Sequence, residues 1–259
     1  LFLAYLRYLA RARDEHSLHS PFLFSLYTTV IRADNRREAA FRPIRALRQR
    51  LLNNRHSIQI TDYGAGSRLN RSNRRRISDI ARTSQKSERF GRLLFRLLRH
   101  SEARTVLELG TSLGLTTAYL AEAVRPQQGR VLTFEGCPQT ATVARRNVDE
   151  LNLSNVEIIV GNLDQTLIQQ TAGLSMVDLV FFDANHRYEP TVRYFETLLP
   201  YAHNDTVFVF DDIHWSADME RAWTYLKTHP AVTVTVDLFW VGLVFFRKEQ
   251  PKQDFVLRF

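Results

Sequence analysis

One cysteine, Cys137, stands in a chain of 259 residues, so no internal disulfide can staple the fold. Long apolar runs are missing as well. None approaches the ~20 residues that a bilayer-spanning helix needs, and the most apolar stretch, Val232 to Phe246, is broken by Asp237. No internal repeat, low-complexity segment or recognisable nucleic-acid module stands out. A secretory leader is not expected: Leu1, Phe2 and Leu3 come before Arg7, Arg11 and Arg13, the reverse of a signal peptide's charge order. The expected location is the cytoplasm, and no membrane insertion is expected.

What remains is a globular composition, 44% hydrophobic and 24% charged, in a chain long enough to bury a substantial core. The net charge of +8 points toward nucleic acid until it is mapped along the sequence. Residues 32–104 hold nineteen Arg and one Lys against six acids, whereas residues 105–259 hold 12 basic and 19 acidic residues. The positive charge therefore belongs to the front of the chain.

The stretch Val106-Leu107-Glu108-Leu109-Gly110-Thr111-Ser112-Leu113-Gly114 organises the rest. An apolar run carrying an acid leads into two glycines bracketing a tight turn, and a helical pattern begins at Leu115. That order reads as strand, ligand-binding loop, helix. Downstream, Val131-Leu132-Thr133-Phe134-Glu135 is a second short strand ending in an acid. An acid at the carboxyl end of such a strand can accept both hydroxyls of a ribose. The pair of signals predicts a nucleoside-cofactor domain.

From Thr105 the pattern alternates, with strands expected at 105–109, 130–134, 156–160, 176–182 and 206–210. Helices are expected at 114–124, 138–152, 163–171, 189–199 and 217–228. Such repetition predicts a mostly parallel sheet covered on both faces. Val232 to Leu238 and Val241 to Arg247 leave no room for a crossover helix, so they are expected as antiparallel neighbours. In front, apolar spacing predicts helices over residues 2–13, 22–31 and 41–55, with Pro21 suited to begin the second. Residues 58–63 alternate weakly like a strand, and the polar run Asn70 to Arg76 is expected as an exposed loop. A helix resumes at Ile77 or Ser87. The Asp62 to Arg68 loop, His16 and His19 are chemically rich enough to serve as one wall of an acceptor site.

On these motifs, residues 105–247 resemble the class I S-adenosylmethionine-dependent methyltransferases, especially bacterial relatives of catechol and caffeoyl-CoA O-methyltransferases. The resemblance implies an α/β, Rossmann-like fold: a seven-stranded, mostly parallel sheet with a C-terminal antiparallel hairpin. It sets residues 101–259 apart as the cofactor-binding domain and residues 1–100 as an N-terminal helical cap or substrate lid. It further implies S-adenosylmethionine contacts at Glu108, Gly110, Thr111, Ser112, Gly114, Glu135, Gly136 and Asn162, with Asp164 as the alternative to Asn162.

The chemistry is expected after the fourth and fifth strands, at Asp183-Ala184-Asn185-His186 and Asp211-Asp212-Ile213-His214. Three carboxylates leaving adjacent strand ends repel one another, and a hard dication relieves that repulsion. The resemblance makes Asp183, Asp211 and Asp212 ligands of Mg²⁺ or another divalent cation, and it also places Asp183 near the cofactor's methionine amine. Two departures stand out: Asp212 occupies a place that is often Asn, and His186 occupies the place of a lysine that acts on the acceptor hydroxyl. Histidine has a near-neutral reference pKa, so His186 is the favoured base, with His214 a second candidate.

The expected activity is methyl transfer to an oxygen of a small molecule. The alternatives are an RNA methyltransferase that uses Arg71 and Arg74 to Arg76, a non-catalytic binding module on the same fold, and an NAD-dependent oxidoreductase. Against the last stand the sparse glycine fingerprint and the terminal hairpin. The expected partner is a small-molecule acceptor ahead of nucleic acid, and a homodimer is allowed.

Overall fold

The computed structural model describes residues 2–61 and 73–259. The Asp62 to Arg68 loop and Arg71, singled out from the sequence, lie outside the described residues. The chain divides into two compact units, residues 34–173 and residues 1–33 with 174–259. Residues 1–100 are thus shared between the two.

In the unit of residues 34–173, β1 (Ser57–Gln59) pairs antiparallel with β2 (Arg74–Arg76). This corrects the expectation of a loop at Arg74 to Arg76. Three arginines offer no apolar alternation, but strand pairing uses only backbone groups, and Ser57–Gln59 supplies the partner. β3 (Thr105–Leu109), β4 (Arg130–Glu135) and β5 (Val156–Val160) then pair in parallel, in that order. The helix Leu115–Val124 that follows β3 is buried at nine of its ten positions. It therefore shows almost no polar face, as a helix enclosed by its neighbours should. Helix Glu88–His100 is capped by Ser87, whose hydroxyl accepts from the Phe90 amide. Gly91 on this helix lets the Tyr119 ring approach, and Phe41 packs edge-on to Phe95 at 4.9 Å.

In the other unit, β6 (Val177–Phe182) and β7 (Ala202–Asp211) are parallel. β8 (Val234–Asp237) and β9 (Val241–Phe245) form the expected antiparallel hairpin, with β9 against β7. A further strand, β10 (Gln253–Val256), runs parallel to β8 and was not expected. With β10, the strands other than the β1–β2 pair number eight among the described residues, three in one unit and five in the other, against seven expected. The fold class is the α/β, Rossmann-like one expected.

The N-terminal helix Phe2–Arg11 belongs to this second unit because it is tied to the chain's other end. The Tyr8 hydroxyl donates to the Leu257 carbonyl at 2.6 Å, and the Arg13 amide donates to Val256 O at 2.9 Å. Tyr5 and Tyr8 pack against Phe239 of the hairpin. After Pro21–Ser25, Leu26–Ile31 widens into a π-helical turn that buries Leu26, Tyr27, Val30 and Ile31. Among the described residues, no helix is long and apolar enough to cross a membrane.

Candidate functional site

In the unit of residues 34–173, the glycine loop is a chain of left-handed residues: Gly110 at φ 111°, Ser112 at φ 49° and Gly114 at φ 79°. Glycine adopts such angles without a Cβ penalty, whereas Ser112 pays one. The loop is fixed to the next strand twice over. The Gly110 and Thr111 amides both donate to Phe134 O at 3.0 Å. The carboxylate of Glu135 then accepts from the Ser112 amide at 2.8 Å and from the Cys137 amide at 2.9 Å. Beneath the loop, Glu108 is fully buried and accepts from the hydroxyls of Thr117 at 2.5 Å and Thr133 at 2.7 Å. The Thr133 hydroxyl also lies 2.6 Å from that of Thr111.

These contacts sort the expected cofactor residues. Glu108, Thr111 and Gly114 are buried, and Glu108 and Thr111 brace the loop from below, whereas Gly110, Ser112 and Glu135 are partly exposed. Gly114 begins helix Leu115–Val124 with no side-chain cap and no acid in the first turn. The first amides of that helix therefore keep their partial positive charge. Gly136 follows Glu135 in the bend that leads to helix Pro138–Glu150. The Asn162 side chain accepts from the Asp164 amide at 3.0 Å, capping helix Leu163–Thr171. Sequence reasoning missed Gln85, whose amide donates to the Ser112 hydroxyl at 2.7 Å. No sequence motif marks it.

In the other unit, the register of β6 and β7 builds the second constellation. Phe182 pairs with Phe210, so Asp183 and Asp211 follow at neighbouring strand ends. The Phe182 and Phe210 rings, each one residue before a carboxylate, stack at 4.1 Å. The chain then turns back through Asn185 at φ 68° and His186 at φ 36°. One ligand atom from each of Asp183, His186 and Asp211 lies within 4.8 Å of the others. Asp211 is 3% exposed. Two carboxylates and an imidazole so close together are a donor set that fits a divalent cation.

Among the described residues Asp212 is not in that group. Its backbone is left-handed, at φ 54°, and its amide donates to Trp240 O at 2.7 Å. His214 is also outside it. Its Nε2 lies 2.8 Å from Asp237, its Nδ1 is 3.6 Å from Glu220, and its ring stacks on Phe239. Burial lowers the His214 pKa, but the hydrogen bond and charge of Asp237, with Glu220, outweigh it and leave the pKa raised.

Residues 107–213 match the family described as "Methyltransferase domain". The chain is 34% identical over 125 residues to a catechol O-methyltransferase of Niastella koreensis, covering 48% of this chain and 55% of the relative. It is 38% identical over 124 residues to a catechol O-methyltransferase of Mycobacterium tuberculosis, covering 48% and 54%. The chain therefore spans about half the length of these curated relatives. Among solved structures, an O-methyltransferase from Bacillus cereus in complex with SAH is similar, with a TM-score of 0.54 and 25% identity. That likeness covers 63% of this chain and 83% of the other. The fold is that of the class I S-adenosylmethionine-dependent methyltransferases. Within that class the similarities run to O-methyltransferases, as the sequence motifs implied.

Proposed function

We propose that this chain is an S-adenosylmethionine-dependent O-methyltransferase acting on a small hydroxylated molecule of catechol type. The observation that carries the reading is the double anchoring of Glu135 to the Ser112 and Cys137 amides. Those bonds fix a carboxylate beside a glycine loop at a strand's carboxyl end, where such an acid can accept ribose hydroxyls. Gly110, Ser112 and Gly114 let a ligand approach the backbone, with Glu108 and Thr111 stiffening the turn. Gly136 and Asn162 flank the adenosine. The cofactor's sulfonium supplies an electrophilic methyl group.

At the other constellation, Asp183 and Asp211 would hold a divalent cation, which would lower the pKa of an acceptor hydroxyl and orient it. Orientation of the acceptor by these side chains supplies much of the rate. Residues 1–100 act as cap and acceptor wall to the cofactor domain of residues 101–259. For residues 34–100, the Gln85–Ser112 contact supports that role. The enzyme works in the cytoplasm, and its partner is the small acceptor; no observation favours nucleic acid.

The test is incubation of the purified chain with methyl-labelled S-adenosylmethionine and catechol or a caffeoyl thioester, with and without Mg²⁺ or Mn²⁺. The expected result is a labelled mono-methyl ether and S-adenosylhomocysteine in equal amounts. A protein that binds the cofactor and labels none of the hydroxylated acceptors would overturn the acceptor reading.

A further inference from the structure

We infer that His186 is the third protein ligand of the cation at Asp183 and Asp211, and that its imidazole makes the site select a later first-row transition dication, of the cobalt or zinc kind, over magnesium. This rests on the metal-assisted reading above and adds the identity of the ion. Four histidines in this unit face carboxylates, and their spacings differ. His214 Nε2 lies 2.8 Å from Asp237 and His203 Nε2 lies 3.0 Å from Asp178, both ordinary hydrogen-bond lengths. His229 Nε2 lies 3.4 Å from Glu196 and His186 Nε2 lies 3.5 Å from Asp183 Oδ1, both longer than a good direct bond. Two ligand atoms each ~2.1 Å from one ion sit 3.5 Å apart when they subtend roughly 110°. The separation is one that joint ligation of a single ion allows.

The loop is also shaped for this. Asn185 and His186 are consecutive left-handed residues, and His186 at φ 36° falls short of even the usual left-handed range. Such backbone persists only where its surroundings hold it, and it clusters at functional sites. Here it carries an imidazole back to within 4.8 Å of the Asp183 and Asp211 ligand oxygens.

Ligand chemistry then decides the ion. Magnesium is hard, keeps several waters and favours an all-oxygen shell, whereas an imidazole nitrogen suits the later first-row dications such as cobalt and zinc. Replacing an oxygen ligand by nitrogen at one of three protein positions moves the preference toward the latter.

The experiment titrates the tag-free full chain with CoCl₂, read by the visible absorption of bound cobalt, and then displaces it with MnCl₂, ZnCl₂ or MgCl₂. His186→Ala and His186→Asn are run alongside, with circular dichroism and S-adenosylhomocysteine binding as checks on the fold. In the parent chain, cobalt should bind and resist magnesium, with an affinity at least about tenfold higher. His186→Ala should weaken cobalt by about tenfold or more while changing magnesium little, and His186→Asn, which restores an oxygen, should leave magnesium the better competitor. Magnesium displacing cobalt equally well from the parent chain overturns the inference but leaves metal assistance standing. An unchanged cobalt spectrum and affinity in both variants also overturns it. No dication binding in a chain that still binds S-adenosylhomocysteine overturns it together with the metal-assisted reading.

Discussion

The Ser112 amide donates to Glu135 Oε2 across 2.8 Å, tying the glycine loop after β3 to the carboxylate that ends β4. Because the other oxygen accepts from the Cys137 amide, both oxygens are placed before any ligand arrives. Glu135→Gln keeps the size but turns one acceptor into an NH₂ donor facing a backbone N–H. One anchor is lost along with the charge. S-adenosylhomocysteine affinity should fall by about tenfold or more, equivalent to roughly 1.4 kcal/mol, as measured by calorimetric titration.

Two glycines test whether the loop and its supporting helix are shaped for different reasons. Gly114→Ala places its Cβ in ordinary contact with Ala144 at 3.6 Å, without a clash, so the cost is the left-handed φ of 79°, about 1–2 kcal/mol. Gly91→Ala would place a Cβ 2.5 Å from the Tyr119 ring, and that buried ring would have to move. Overpacking of this kind costs about 1–3 kcal/mol. Urea unfolding should show both variants destabilised. Only Gly114→Ala should also weaken S-adenosylhomocysteine beyond its effect on stability.

Asp211→Asn separates the two constellations. The carboxylate is 3% exposed and faces Asp183 and His186, so removing its charge removes most of the attraction for a dication. Dication affinity should drop by at least about tenfold, with S-adenosylhomocysteine affinity changed less than about threefold. Parallel titrations of the variant with the metal and with the nucleoside would check this.

Alkaline stability reports on the clasp between the chain's ends. Burial raises the Tyr8 pKa to about 12, helped by Asp237, Tyr5 and Tyr27 and opposed by the hydrogen bond from the Phe259 amide. The folded state prefers the neutral phenol. Its contribution is complete below the unfolded value near pH 10 and is lost as pH rises through 12. Tyr8→Phe should cost about 1 kcal/mol at pH 7, because the bond to Leu257 O is gone, and it should show a shallower loss between pH 10 and 12. Urea midpoints at pH 8 and pH 11 for both proteins measure it.

Much of this architecture is written in hydrophobic periodicity. Strands 105–109 and 156–160 and helices 163–171 and 217–228 fall where alternation and capping put them. Gln253–Val256 escaped because its first two residues are exposed and polar, and its pairing is set by β8, distant in sequence. Arg74–Arg76 escaped for the same reason. The positions of Asp183 and Asp211 were legible because each follows an apolar strand. That His186 and not Asp212 joins them was not, since the difference lies in the left-handed backbone of Asn185, His186 and Asp212. Asn162 and Glu108 were recognised as residues of the motif. Their capping and bracing bonds depend on partners that spacing does not reveal.

The central claim is a nucleoside-cofactor site built on Glu135 and the glycine loop. Calorimetric titration of the purified chain with S-adenosylhomocysteine tests it most directly. The account predicts one site per chain with a dissociation constant on the order of micromolar, about −8 kcal/mol. A well-folded protein that gives no binding heat, and no thermal shift at millimolar ligand, would contradict it.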